Sequence, residues 1–209
     1  MNAKTTRFSK SDMQQNEKPN RPDFRADIRQ AIETMRHGGV ILYPTDTVWG
    51  IGCDATNPDA VSRIYEIKRR AESKAMIVLV DSMQRLERYV NEVPDIAWQL
   101  TEVADRPLTI IYDGARALAS NLIADDGSIA IRITDEPFSN ALCAAMRLPI
   151  VSTSANISGH PTPPCFAEID EEIRQAVDFI VRYRQDDNAH PSPSSIIKLG
   201  LHGEVKVIR

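Results

Sequence analysis

Five consecutive apolar residues, Met76-Ile77-Val78-Leu79-Val80, constrain this chain more than any other feature. The run has the length of a strand and does not alternate, so both of its faces must be covered. Such a strand lies in the middle of a sheet with helices on either side. The neighbouring segments supply the rest. Val40-Ile41-Leu42-Tyr43, residues 48–53, Leu108-Thr109-Ile110-Ile111-Tyr112, residues 128–133, Pro149-Ile150-Val151, Phe179-Ile180-Val181, Ile196-Ile197 and Val205-Lys206-Val207-Ile208 all have strand character. Between them, apolar residues recur at helical spacing in six places: Ile28/Ile32/Met35, Val61/Ile64/Tyr65, Met83/Leu86/Val90, Ile96/Leu100/Val103, Phe138/Leu142/Met146 and Ile169/Ile173/Val177. Gly38-Gly39 reads as a helix stop and Asn57-Pro58 as a helix start. The expectation is an α/β fold, a single three-layer domain with a mixed twisted sheet of about seven strands.

The 209 residues suffice for one substantial core. Residues 1–24 are polar and read as a flexible tail, with the domain over residues 25–209. No apolar stretch approaches the ~20 residues that span a bilayer, and the amino-terminal segment lacks the apolar centre of a secretory signal, so a cytoplasmic protein without a membrane partner is expected. Cys53, Cys143 and Cys165 form no CxxC pair and suggest no disulfide framework. His37, His160, His190 and His202 are scattered without ligand spacing, so no metal site is expected. A net charge of −4 argues against binding nucleic acid mainly through phosphate contacts, although a local basic cavity is compatible with it.

Polar material stands where strands end, which is where ligands gather in α/β sheets. The segment Thr45-Asp46-Thr47 follows an apolar run, and its hydroxyls suit either a small polar ligand or a local turn. Lys68-Arg69-Arg70, with Lys74 close behind, suits either an anion or the negative end of a helix dipole. Lys68 falls four residues after Ile64, so it shares the apolar face and points towards the sheet, which costs desolvation unless an anion meets it. Ser152-Thr153-Ser154-Ala155-Asn156 can present donors to phosphate or carboxylate oxygens, or cap a helix. Arg132 lies on the less apolar face of an alternating strand, a position that calls for an anionic partner. No GxxxxGK[ST], GxGxxG, GxSxG or kinase signature is present, so any ATP must be held without a P-loop.

Residues 43–53 (Tyr43-Pro44-Thr45-Asp46-Thr47-Val48-Trp49-Gly50-Ile51-Gly52-Cys53), Lys68-Arg69-Arg70 and residues 152–159 (Ser152-Thr153-Ser154-Ala155-Asn156-Ile157-Ser158-Gly159) resemble, in that order, the opening, K-x-R and S-T-S-A-N-x-S-G motifs of the threonylcarbamoyl-AMP synthase (YrdC/YciO-like) family. The chain resembles its short, single-domain form. The resemblance implies an α/β domain with a concave basic cavity. It also implies a nucleotidyltransferase reaction in which L-threonine, bicarbonate and ATP give threonylcarbamoyl-AMP and pyrophosphate. A downstream transferase complex would then modify adenosine 37 of tRNA. By the same resemblance Lys68, Arg70, Ser154 and Asn156 form the catalytic set around the ATP phosphates, with Mg²⁺ carried by the nucleotide. Thr45, Lys74 and Arg132 hold threonine, and Thr109, Ser152 and Ser194 complete the nucleotide side. Family members often carry W-P-G-P-x-T where this chain has Ala104-Asp105-Arg106-Pro107-Leu108-Thr109, a departure that leaves room for a YciO-like enzyme with another acceptor. The remaining alternative is a YrdC-like module that binds double-stranded RNA or tRNA.

Overall fold

The computed structural model describes residues 23–71, 76–188, 192–201 and 203–209. Residues 1–22 of the expected tail, and Lys74, lie outside the described residues. In chain order the elements are α1 (Arg25–Arg36), β1 (Ile41–Tyr43), β2 (Gly50–Gly52), α2 (Pro58–Ile67), β3 (Ile77–Val80), α3 (Met83–Leu86) and α4 (Asp95–Val103). They continue with β4 (Leu108–Tyr112), β5 (Ile129–Ile133), α5 (Pro137–Met146), β6 (Ile150–Ser154), α6 (Glu171–Ala176), β7 (Phe179–Ile180), β8 (Ser195–Leu199) and β9 (Val205–Val207).

Local chemistry sets several of these boundaries. Asn57 accepts hydrogen bonds from the Asp59 and Ala60 amides, and Pro58 occupies the first helical position of α2. Helix α1 ends at His37, where Gly38 takes the left-handed conformation (φ +79°) that its lack of a Cβ permits. Helix α3 is a single turn, shorter than the spacing to Val90 suggests. Beyond Leu86 the backbone is taken up by another partner: the Asn91 amide donates to Gly114 at 2.9 Å, and Tyr89 accepts from the Arg116 amide at 2.9 Å.

All nine strand-like segments pair, rather than about seven, in the order β7-β1-β2-β6-β3-β5-β4-β8-β9. The two-residue β7 and the exposed β9 form because each adds to an edge that already offers free backbone groups. The sheet is mixed: β7–β1, β3–β5 and β4–β8 are parallel and the other pairs antiparallel. The wholly apolar β3 is the fifth strand of nine, at the centre.

Alternating side chains feed two cores. Leu42, Ile51, Val78, Val80, Ile131 and Val151 face one cluster with residues of α2, α3 and α4. Ile41, Tyr43, Leu79 and Ile150 face the other, under Met35 of α1 and Phe138 and Leu142 of α5. Each such buried side chain contributes about 1.5–3 kcal/mol. Helices α1 and α5 pack on each other and on β1, β3 and β7, so they cover only one end of their face. Strand β6 crosses that limit: Ile150 lies under the helices, whereas Ser152 and Ser154, on the same side of the strand, lie beyond them.

The Gly-Ile-Gly of β2 follows from close packing. A Cβ at Gly52 would fall 2.5 Å from the Val151 carbonyl oxygen and 2.7 Å from Tyr43 Cε1. Gly52→Ala is therefore expected to cost about 1–3 kcal/mol of stability. Urea unfolding should show a lower midpoint at unchanged slope; an unaltered midpoint would contradict this packing.

Candidate active site

The uncovered end of the sheet is the floor of a cavity of about 350 Å³. In-register neighbours carry the floor across the strands: Gly50 opposite Ser154, Ser152 opposite Ile77, Ile77 opposite Ala130, and Ala130 opposite Ile111. Gly50 keeps the floor low, since a Cβ there would lie 3.3 Å from both Ser152 Oγ and Thr45 Cγ2. Among the described residues Arg70, Arg132 and Arg209 line the cavity together with hydroxyls from Thr47, Ser152, Ser154 and Ser194, and no carboxylate side chain does. An apolar floor under cationic and hydroxyl walls suits a ligand that is flat at one end and anionic at the other.

The end of α2 divides its three cations among three environments. The Arg70 amide donates to Tyr65 and the Arg69 amide to Glu66, both at 2.9 Å, and Arg69 is left-handed (φ +48°). This reverse turn closes the helix. It sends the exposed Arg69 out to an ion pair with Glu172, brings Arg70 to the cavity, and leaves Lys68 buried. The Lys68 ammonium donates to the carbonyl oxygens of Ser154 and, at 2.7 Å, Asn156. The Ser158 amide returns a 2.8 Å bond to the Lys68 carbonyl. Asn156 meanwhile donates to the Ile157 and His160 carbonyls at 3.0 and 2.8 Å, closing its own loop. Burial, and then the neighbouring Arg70 charge, lower the Lys68 pKa to about 8. Burial also lowers that of Arg70.

On the other side of the floor, Arg132 is 3% exposed and finds its anion in Asp46, 2.9 Å away, with Thr47 Oγ1 at 3.4 Å. Arg132 Nε and Asp46 Oδ1 are nonetheless buried without an aligned hydrogen bond. Burial pulls the Arg132 pKa down against the attraction of Asp46, and pushes the Asp46 carboxyl up against the attraction of Arg132. The pair is thus incompletely compensated. The Thr45 hydroxyl donates to the Val48 carbonyl at 2.7 Å and accepts from the Thr47 amide at 3.1 Å, so it closes the turn that presents Thr47 and Val48 to the cavity.

Of the residues singled out in the sequence, Arg70, Arg132, Ser152, Ser154 and Ser194 meet at the cavity wall. Lys68, Asn156, Thr45 and Thr109 stand one layer behind it. Thr109, fully buried, shares a 2.9 Å hydroxyl contact with Ser194. Sequence reasoning missed Arg209, whose guanidinium donates to the Ser194 carbonyl at 3.1 and 3.2 Å; its position just past an apolar strand was the available signal. Thr162 was missed too, and nothing in its spacing marks it.

A mixed α/β sheet with a cationic, hydroxyl-rich cavity over its uncovered end defines a class of small-molecule-binding domain whose ligand carries phosphate or carboxylate. Within that class the chain belongs to the Sua5/YciO/YrdC family, whose profile, described as telomere recombination, matches residues 33–209. It is 35% identical over 170 residues to a protein named threonylcarbamoyl-AMP synthase from Xanthomonas campestris pv. campestris (strain B100), covering 80% of this chain and 91% of that one. A synthase of the same name from Vibrio parahaemolyticus is 32% identical over 173 residues, covering 81% and 92%. Among solved structures, E. coli YciO superposes with a TM-score of 0.77 at 27% identity and 91% coverage of both chains. P. abyssi Sua5 complexed with L-threonine gives 0.74 at 27% identity, covering 83% of this chain; the chain spans 51% of that protein's length.

The low pKa of Lys68 has a consequence for stability. Between about 8 and the ordinary value of 10.5 the unfolded chain holds this proton and the folded chain does not. Over that window the contribution of Lys68 to stability rises with pH, from a full burial penalty below about 8 to none above 10.5. Subtracting the pH–stability profile of Lys68→Met from that of the wild type should expose this rise. A flat difference would place the ammonium in a more hydrated setting.

Proposed function

We propose that the protein is an L-threonylcarbamoyladenylate synthase, which converts L-threonine, bicarbonate and ATP to threonylcarbamoyl-AMP and pyrophosphate. The carrying observation is the Lys68 ammonium bonded to the Ser154 and Asn156 carbonyls, which joins the cationic helix end and the hydroxyl strand end beside one arginine-lined cavity. Relatives named threonylcarbamoyl-AMP synthase, matched over about nine-tenths of their length, and the L-threonine complex of P. abyssi Sua5 support the substrate set.

In this reading the amine of threonine adds to bicarbonate with loss of water, and a carbamate oxygen then attacks the α-phosphorus of ATP as pyrophosphate leaves. Negative charge gathers on the phosphoryl oxygens and the leaving group, so cations and donors held in place before the reaction stabilise the transition state. Arg70 and the Ser152 and Ser154 hydroxyls meet the phosphates. Lys68 acts by holding the strand end at the correct distance and by its charge. Arg132, which lines the cavity, takes the carboxylate or carbamate of the amino acid, and the turn closed by Thr45 meets it through Asp46 and Thr47. Ser194, backed by Thr109 and Arg209, forms the far wall. Mg²⁺ arrives on the nucleotide, since hydroxyls and arginines suit phosphate oxygens better than a metal. The product passes to a transferase complex acting on tRNA adenosine 37 in the cytoplasm; among the described residues no helix is long and apolar enough to cross a membrane.

A second reading follows from the likeness to E. coli YciO over 91% of both chains: the same cavity, with an acceptor other than threonine. Incubation with ATP and bicarbonate, with and without L-threonine, separates the two through pyrophosphate release. Threonine-dependent release is expected; release indifferent to threonine favours the second reading, and RNA affinity with no release removes both. Lys68→Ala should slow the reaction at least about tenfold, because it releases the strand end and removes a charge held beside the cavity, and near-normal turnover would refute its role.

A further inference from the structure

We infer that Arg184 is a positioning residue for the amino-acid side of the cavity, acting through the backbone of the Thr45-Asp46-Thr47 turn. This rests on the threonine-dependent reaction proposed above. Arg184 Nη1 donates to the Thr45 carbonyl at 3.2 Å and lies 3.5 Å from Glu136 Oε1. Its Nε and Nη2 each lie 2.8 Å from Asp187 Oδ2. The other Glu136 oxygen accepts from the Ser139 amide at 2.7 Å and caps α5, so Arg184 is referenced to the start of that helix. The residues just before it are equally fixed. Asp27 of α1, 4% exposed, accepts from the amides of Arg182 and Tyr183, each at 3.0 Å. The Tyr183 ring packs on Phe24 and Phe138, with centroids 5.0 and 6.0 Å apart.

Arg184 is therefore a post set on α1 and α5, and it touches the turn from behind without lining the main cavity. Arg132 grips the same turn from the cavity side, through Asp46 and Thr47. Two arginines, one on β5 and one in the loop after β7, thus fix the depth at which Thr47 and Val48 enter the cavity. The backbone of Arg184 is left-handed (φ +64°), a conformation that costs a residue with a Cβ about 1–2 kcal/mol. A glycine there would adopt it freely, so the conformation alone gives no reason for an arginine. The guanidinium does.

Arg184→Gly separates positioning from general structure, because it relieves the backbone while deleting the guanidinium. Its thermal midpoint should stay within a few degrees of wild type. Its KM for L-threonine should rise about fivefold or more, the worth of one net hydrogen bond, while its KM for ATP stays within about twofold. Arg184→Lys, which keeps the charge but not the planar fork, should fall between the two. An unchanged threonine KM in Arg184→Gly, or equal rises for both substrates, would overturn the assignment. Should the glycine variant fail to fold, Arg184→Lys decides: a selective threonine effect supports the assignment and wild-type constants overturn it. Wild-type protein that releases no pyrophosphate in response to threonine would instead sink the function on which the assignment rests.

Discussion

The site depends on one buried ammonium. Lys68 is 1% exposed, and its charge is met by two backbone carbonyls, those of Ser154 and Asn156. A carboxylate in the same place would have neutralised the lysine and cancelled much of its field in the cavity. Carbonyl dipoles solvate the charge without cancelling it, at the cost of a lowered pKa. The geometry gains as well. These carbonyls lie where β6 leaves the sheet, and Lys68 lies where α2 ends, so one hydrogen-bonded contact fixes the two polar elements against each other. The reverse turn at Arg69 then places Arg70 on the cavity side of that junction.

The layer architecture was legible because it follows from period alone. An unbroken apolar β3 demanded cover on both faces, and the alternation along β5 separated an apolar face, which meets the core through Ile129 and Ile131, from a less apolar one, which the structure turns to the cavity through Ala130 and Arg132. The site was legible only in part. Sequence spacing showed that Lys68 points inward, but not that carbonyls rather than an anion meet it, since those carbonyls belong to residues 86 and 88 positions away. In the same way, Arg132 demanded an anion, yet Asp46 could not be named from spacing, because β5 and the 45–47 turn are far apart in the chain and only the strand order of the folded sheet brings them together. Thr45 and Asn156 were singled out for their side chains, and those side chains turn out to shape loops that carry other groups to the cavity.

Net charge misleads about such a protein. The chain carries −4 overall, while its cavity wall is cationic. The two statements agree once the location of the acids is considered. Asp27, Asp46 and Glu136 are spent on fixing Arg182, Arg132 and Arg184 from behind. Of these three arginines only Arg132 lines the main cavity, and Asp46 orients it without lining that cavity itself.

The departure at Ala104-Asp105-Arg106 takes on a definite meaning in this arrangement. The segment borders a second cavity of about 290 Å³ that also touches Asp46 and Asp135. It therefore lies on the far side of the Asp46–Arg132 pair from the main cavity. On the main-cavity side, Thr109 keeps its contact with Ser194. What the change alters is the surroundings of Asp46, the carboxylate that sets the direction of Arg132. In the proposed reaction, a difference from the named synthases at this segment would thus bear on how firmly Arg132 is held beside Asp46.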